Sequence, residues 1–328
     1  MNGVTLKHLR YFEALSRHGH FGRAAKACGI SQPALSVQIK ELEALLGAPL
    51  IERSARQIRL SSLGEALAER ARDILRAVDE LDDLARASRG PLTGRLRIGV
   101  IPTIAPYLLP GLIKALDTQN PRLDIRPREA VTERLIRDLG EGRLDFAVVA
   151  LPVSEPGLHE EPLFEEEFVL VRPIADADKP VPNAERMREM RLLLLEEGHC
   201  FRDQALSFCN ASTLAARDLM EGSSLSTLVQ MVGAGIGVTL IPEMAVPTEI
   251  RSAEVSVVRL PAPRPKRTVG MVWRKTNPLA PQLSEIAHML RDLGLQDGLN
   301  NQLTPPNSSH RIEPAGDRMA GSSKGRRP

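Results

Sequence analysis

The sequence predicts an α+β multidomain protein: a winged helix–turn–helix head, a dimerising linker helix and a two-lobed α/β sensor domain. Three observations predict it. Apolar residues recur at helical spacing through residues 6–46, with Gly29 at a turn and Gly47 at the end. A heptad-like seam follows over residues 67–85. From residue 95 to 293 short apolar strands alternate with helical stretches, which implies an α/β sandwich. Boundaries are expected at 1–62 for the head, 63–91 for the linker and 92–295 for the sensor. Lobe I should hold 92–166 and 269–295, and lobe II 167–268. Residues 296–328, rich in Pro, Ser, Gly and Arg, read as a disordered tail.

The bulk numbers narrow the function classes. The chain is 42% hydrophobic and 26% charged over 328 residues, ordinary for a globular protein of more than one domain. A formal net charge of +2 means that any nucleic-acid surface must be local. Met1 to Lys7 lacks the basic-then-apolar order of a signal peptide. No apolar run approaches the roughly 20 residues needed to span a bilayer. A cytoplasmic location is therefore expected, where a disulfide is more often transient and redox-sensing than structural. No cofactor or metal is called for.

In the head, Leu6, Leu9, Tyr11, Phe12 and Leu15 mark a first helix, and Phe21 to Ala27 a short second one. Cys28-Gly29-Ile30-Ser31 is a turn, with Ser31 a good N-cap and Pro33 tolerated in the first turn of the next helix. That helix runs from about Gln32 to Leu46, with Leu35, Ile39, Leu42 and Leu46 facing the core. Gln32, Ala34, Ser36, Gln38 and Lys40 lie on other faces, where amides and hydroxyls can read base edges. Leu50 to Arg53 and Gln57 to Leu60 read as two strands of a basic wing, and the segment's arginines and lysines suit phosphate contact. Cys28 reads as a small buried apolar residue.

For the linker, Ser62 and Glu65 fit a capping box. Leu67, Ala71, Ile74, Val78, Leu81 and Ala85 then alternate in steps of four and three, a dimer seam. In the sensor, strands are expected at 95–101, 123–126, 145–151, 168–171, 192–195, 235–242 and 268–273. Helices should end near Leu116, run from Thr132 to Glu141 and from Ser224 to Ala234, and close the domain at 281–293. Gly233 to Gly237 follows a helix instead of a strand, so it is a tight turn and not a nucleotide loop.

The chemistry concentrates in Glu196 to Cys209. The chain has three cysteines, and Cys200 and Cys209 stand nine apart beside His199, Arg202 and Asp203. A thiol attacks peroxide as the thiolate, which a nearby cation such as His199 or Arg202 favours. The resulting sulfenic acid can be captured by a second cysteine as a disulfide. If the segment is helical, nine residues separate the Cα atoms by about 13 Å. A disulfide tolerates at most about 7 Å, so the segment would have to refold. Moving one buried aromatic, Phe201 or Phe208, costs on the order of 3 kcal/mol, about a hundredfold in an equilibrium. Taken alone, two such cysteines also fit core fillers beside a solvated charged face.

Residues 7–65 resemble the winged helix–turn–helix of LysR-type transcriptional regulators. The matching strings include Leu9-Arg10-Tyr11-Phe12, Phe21-Gly22-Arg23-Ala24-Ala25, Ile30-Ser31-Gln32-Pro33-Ala34-Leu35-Ser36 and Leu50-Ile51-Glu52-Arg53. The resemblance implies a linker helix that dimerises and a two-lobed periplasmic-binding-protein-like sensor. It places Gln32, Pro33, Ser36 and Arg53 at the DNA surface, with Arg23, Gln38 and Lys40 as further candidates. His199-Cys200-Phe201-Arg202-Asp203-Gln204-Ala205 with Phe208-Cys209, and Ile101-Pro102-Thr103, are similar to the hydrogen-peroxide-responsive branch of that family. Phe201 stands where a leucine is common there.

This second resemblance implies that Cys200 is the peroxidatic and Cys209 the resolving cysteine. It implies that Thr103, Thr132, His199, Asp203 and Arg267 form a peroxide pocket. Without it, Thr103 and Thr132 would read as helix caps and Arg267 as a solvated charge. The implied partners are double-stranded promoter DNA, hydrogen peroxide, further copies of the chain in a homodimer or homotetramer, RNA polymerase, and a thiol reductant system such as glutaredoxin or thioredoxin. The implied protein is an activator and not an enzyme; a thiol peroxidase would leave the head without a role. The rival within the family is a regulator that binds a small inducer between the lobes, with inert cysteines.

Overall fold

The computed structural model describes residues 3–52, 58–87, 92–208 and 220–300. The head is built as its caps dictate. Helix α1 (Leu6–His18) starts at Thr5, whose hydroxyl accepts the His8 N–H, and stops at Gly19 with φ 58°. Helix α2 (Phe21–Ala27) is capped by the His20 ring, and α3 (Gln32–Leu46) by Ser31. Gly29 supplies the left-handed turn between them at φ 66°. Phe12, Leu15, Ala24, Leu35, Leu42 and Leu50 are fully buried between the three helices. Strands β1 (Ile51–Glu52) and β2 (Arg59–Leu60) pair antiparallel as the wing. Arg53, between them, lies outside the described residues.

Helix α4 (Ser62–Ala87) is capped by Ser61, whose hydroxyl accepts the Gly64 N–H at 3.0 Å, one residue earlier than the expected Ser62 box. Gly64 lets α4 touch the head, since a Cβ there would sit 2.1 Å from the Leu50 carbonyl oxygen. Ala68 and Ala71 are buried and Leu67 packs on the head core. The start of the expected dimer seam is therefore used within one chain. Ile74, Leu81 and Leu84 remain exposed further along.

The sensor continues with β3 (Gly94–Val100), α5 (Ala105–Gln119), β4 (Leu123–Glu129), α6 (Thr132–Gly140) and β5 (Phe146–Leu151). Then come β6 (Leu158–Pro173), α7 (Ala184–Glu189), β7 (Leu193–Leu195), α8 (Cys200–Phe208) and β8 (Met220–Gly222). It ends with α9 (Leu225–Gly233), β9 (Thr239–Pro242), α10 (Val246–Glu249), β10 (Val255–Arg259), β11 (Lys266–Arg274) and α11 (Ala280–Asn300). The main sheet runs β10-β6-β11-β5-β3-β4, with β9 also on β6. Strand β3 lies parallel to β4 and β5, whereas β11 is antiparallel to β5 and β6.

Two separate cores result. One gathers residues 96–163 with 269–290, the other residues 168–260. The continuous 16-residue β6 joins them: Leu158 to Glu167 pair with β11, and Val169 to Pro173 with β10. The sequence reading began this strand only near Phe168, because Glu160, Glu161, Glu165, Glu166 and Glu167 are poor strand formers. Four of these charges are met by cations, with Lys266 bonding Glu165, Arg264 Glu167, Arg267 Glu166 and Arg291 Glu161, while Glu160 accepts the Val153 and Ser154 N–H groups. Also unforeseen were α7, β8 and β10. Helix α11 continues to Asn300, past the expected end at Leu293. Residues 301–328, most of the expected tail, lie outside the described residues. Among the described residues no helix is long and apolar enough to cross a membrane.

Candidate functional site

Parallel pairing of β3 and β4 brings Val100 opposite Glu129, so the chain leaves both strands at one edge. Crevices at the carboxyl ends of parallel strands are common ligand sites. Thr103 follows β3 and Thr132 follows β4. Neither is a cap: Ile104 and Val131 occupy the N-cap positions of α5 and α6. Thr103 is buried; its hydroxyl accepts from Arg267 Nη1 at 2.8 Å and its carbonyl from Nη2 at 3.1 Å. The Thr132 hydroxyl is buried and has no hydrogen-bond partner among the described residues.

Arg267 is buried, not solvated. Its Nε donates to Glu166 Oε2 at 2.8 Å across the β11–β6 ladder, where the two residues are register partners. Glu166 Oε1 accepts the Met244 N–H at 2.9 Å. A fully paired carboxylate thus holds the guanidinium toward Thr103. Arg267 also lies 5.8 Å from the ring centroid of Phe201, which meets Phe168 edge-on at 4.8 Å. Glu166 was missed in the sequence because an acidic run reads as a solvated face, and Phe168 was read only as the start of a strand.

Cys200 is a half-buried free thiol and the first residue of α8, at the positive end of the helix dipole. Although α8 belongs to the second core, Cys200 packs against the first. His199 next to it has its imidazole pKa pushed below the ordinary value by burial, against the opposing pull of Glu196 and Glu129. It is a neutral hydrogen-bonding group at neutral pH, not the cation that the sequence suggested. Arg202 is not that cation either. Its Nη1 donates to the Leu195 carbonyl at 2.8 Å and to Glu221 at 2.7 Å, both within lobe II.

Asp203 is exposed, one turn after Cys200 on the same helical face. Gln204 brings a buried, unpartnered carbonyl oxygen. Cys209 lies outside the described residues; α8 is continuous from Cys200 to Phe208. Cys28 ends α2 in the head, half-buried against the core, with its thiol pKa raised by burial and by Glu13.

On the head, Gln32, Pro33, Ala34 and Lys40 of α3 and Arg23 of α2 are exposed, and Ser36 is half-buried. Gln38 is engaged locally, its amide donating to Glu41 at 2.9 Å. Val37, unremarked in the sequence, is exposed.

Comparison with known proteins agrees with both the head and the two-lobed domain. Residues 6–65 match the bacterial regulatory helix-turn-helix protein model of the lysR family, and residues 89–294 the LysR substrate binding domain. A probable hydrogen peroxide-inducible genes activator from Streptomyces viridosporus is 43% identical, covering 88% of this chain and 94% of that protein. The DNA-binding transcriptional dual regulator OxyR of Escherichia coli K12 is 39% identical, covering 88% and 95%. Full-length OxyR from Pseudomonas aeruginosa, a cysteine variant, superposes with a TM-score of 0.70 at 37% identity over 89% of this chain and 96% of its own. A hydrogen-peroxide-bound OxyR mutant from Corynebacterium glutamicum gives 0.62 at 33% identity over 90% and 94%. With a winged head, a two-lobed sensor and these relatives along nearly its whole length, this chain belongs to the LysR family of transcription regulators, in its OxyR branch.

Proposed function

We propose that this DNA-binding regulator senses hydrogen peroxide through Cys200 and Cys209 and activates antioxidant genes when they are joined. The observation that carries the reading is the placement of Cys200: a lobe II helix delivers its thiol onto the lobe I core. In the first step the Cys200 thiolate attacks one peroxide oxygen, the O–O bond breaks, and hydroxide leaves with a proton from the pocket, giving a sulfenic acid and water. Thr132 offers an unpaired hydroxyl to peroxide, while Arg267, fixed by Glu166, holds Thr103. Neutral His199 accepts or donates one hydrogen bond without adding charge. Asp203 borders this site from the solvent side. In the second step Cys209 sulfur displaces the sulfenic oxygen, which leaves as water, and the disulfide forms.

Closing that bond pulls Cys200 from α8 and strains the Phe201 contact with Arg267 and Phe168. Rearranged sensors would alter the spacing of paired heads in a homodimer or homotetramer. The oxidised form would then contact RNA polymerase, and a thioredoxin or glutaredoxin system would reset it. The head would read DNA with Gln32, Pro33, Ser36 and Arg53, supported by Arg23 and Lys40. Gln38 keeps a place at the edge of that surface.

The test is peptide mass mapping after one equivalent of hydrogen peroxide without reductant. A Cys200–Cys209 linkage with Cys28 free is expected. Cys200→Ser should lose the peroxide response and keep DNA binding; a retained response would sink the assignment. A second reading, a small inducer bound between the lobes, is favoured by a cavity of about 500 Å³ lined by Tyr107, Phe164, Met244 and Pro247 together with Glu165, Glu166, Glu167 and Glu243. Ligand-dependent thermal stabilisation of reduced protein, with the cysteines inert to peroxide, would select it.

A further inference from the structure

We propose that Val37, with Pro33 and Ala34, forms an apolar strip that reads the C5-methyl groups of thymine in the major groove. The proposal rests on the head binding DNA and is independent of how the sensor works. Val37 is 61% exposed, whereas Leu35, Ile39 and Leu42 of the same helix are at most 2% exposed. At about 100° per residue, Val37 points about 170° away from the mean direction of those three core residues. It is therefore at the centre of the outward face of the second helix of a helix–turn–helix, the face that enters the groove.

A single exposed valine is usually unremarkable. Its surroundings make this one specific. Pro33 and Ala34 are exposed beside it, at spacings of four and three. No acidic residue lies between Ser31 and Lys40. Exposed Arg23 and Lys26 on α2 and Lys40 on α3 flank the strip with charges suited to phosphates. Gln38, the amide next to Val37, is held by Glu41. Apolar contact is thus the chemistry that the middle of this helix presents. Among the four bases only thymine offers a methyl group in the major groove. Val37 is β-branched, with one strongly preferred rotamer in a helix, so its methyls are already in place before binding. The strip selects half-sites carrying thymine opposite the first turns of α3.

The experiment starts from a duplex selected by the full-length protein from a randomised library. Each thymine is then replaced singly by deoxyuridine, which removes only the methyl, and Kd is measured at one fixed salt concentration. At one or two positions per half-site, loss of the methyl should weaken binding about fourfold, the value of one buried methyl. In Val37→Ala the same replacement should change Kd by less than about 1.5-fold at the position Val37 touches, as a coupled pair requires. Val37→Thr, which keeps one methyl, should retain an intermediate penalty. Because each variant is compared with itself on two duplexes, a general loss of affinity cancels. Indifference to deoxyuridine at every position, or a full penalty in Val37→Ala, overturns the proposal. Failure of the wild-type protein to enrich any duplex would instead count against the DNA-binding role of the head.

Discussion

His199 shows how one side chain's surroundings set its role. Burial disfavours its charged form, and Glu196 and Glu129 only partly offset this. The folded state therefore binds fewer protons than the unfolded chain once pH falls toward the ordinary imidazole value of 6.5. The stability held by neutral His199 is complete above that pH and is lost as pH falls through the depressed folded value. His199→Asn should flatten this part of the profile. Thermal unfolding of the reduced protein between about pH 7 and pH 5 measures it, and equal slopes for both proteins would refute the burial argument. The same residue explains a limit of sequence reading. The string around Cys200 contains a histidine, an arginine and an aspartate, and suggests a cationic thiol site. In the structure burial favours the neutral form of the histidine, the arginine serves lobe II and the aspartate is exposed.

At the scale of elements, α8 and β6 do most to couple the site to the fold. Phe201 is 3% exposed and sits between Arg267 and Phe168, so it ties the start of α8 to both crossing strands. Phe201→Ala should destabilise the reduced protein by about 3–5 kcal/mol in urea unfolding. It should also speed disulfide closure after oxidation, because the packing that holds Cys200 in its helix is gone. Rapid-quench trapping of the sulfenic acid reads that step; an unchanged closure rate in a destabilised protein would separate refolding of α8 from disulfide formation. Periodicity made most helices and the buried strands legible. It could not make β6 legible, since four of its five glutamates become strand residues only when Lys266, Arg264, Arg267 and Arg291 reach them from sequence-distant parts of the chain.

Across the whole molecule, two kinds of tie hold the lobes. Strands β6 and β11 pair side by side, and the Tyr107 hydroxyl of lobe I donates to Glu249 of lobe II at 2.7 Å. Burial and that carboxylate push the Tyr107 pKa upward, so the phenol stays a donor. Outside the lobes, the linker helix has divided its apolar residues. Ala68 is spent on the head core and Ala71 is buried, while Ile74, Leu81 and Leu84 stay exposed, the face where we propose that a second copy packs. Leu81, at 62% exposure, is the most exposed of these. Leu81→Glu should raise the dimer dissociation constant at least tenfold, since a buried carboxylate without a partner costs more than about 1.4 kcal/mol. Sedimentation velocity across a concentration series checks this, and an unchanged dimer would move the interface to another face.

By itself the sequence determined what local rules govern: caps and turns in the head, the helical spacing of the linker, the alternation of the sensor, and the choice of Cys200 and Cys209 as a pair to test. Those features depend on neighbours within about one helical turn or one strand. The tertiary structure alone decided what each polar group became. Arg267 is a buried brace because Glu166 and Thr103 converge on it, the buried Thr132 hydroxyl finds no partner among the described residues because Val131 and not Thr132 takes the N-cap position of α6, and Val37 faces outward because three leucine and isoleucine neighbours claim the opposite side of α3. Partners that lie a hundred residues away in the chain meet only on folding, and their burial and pairing set the chemistry.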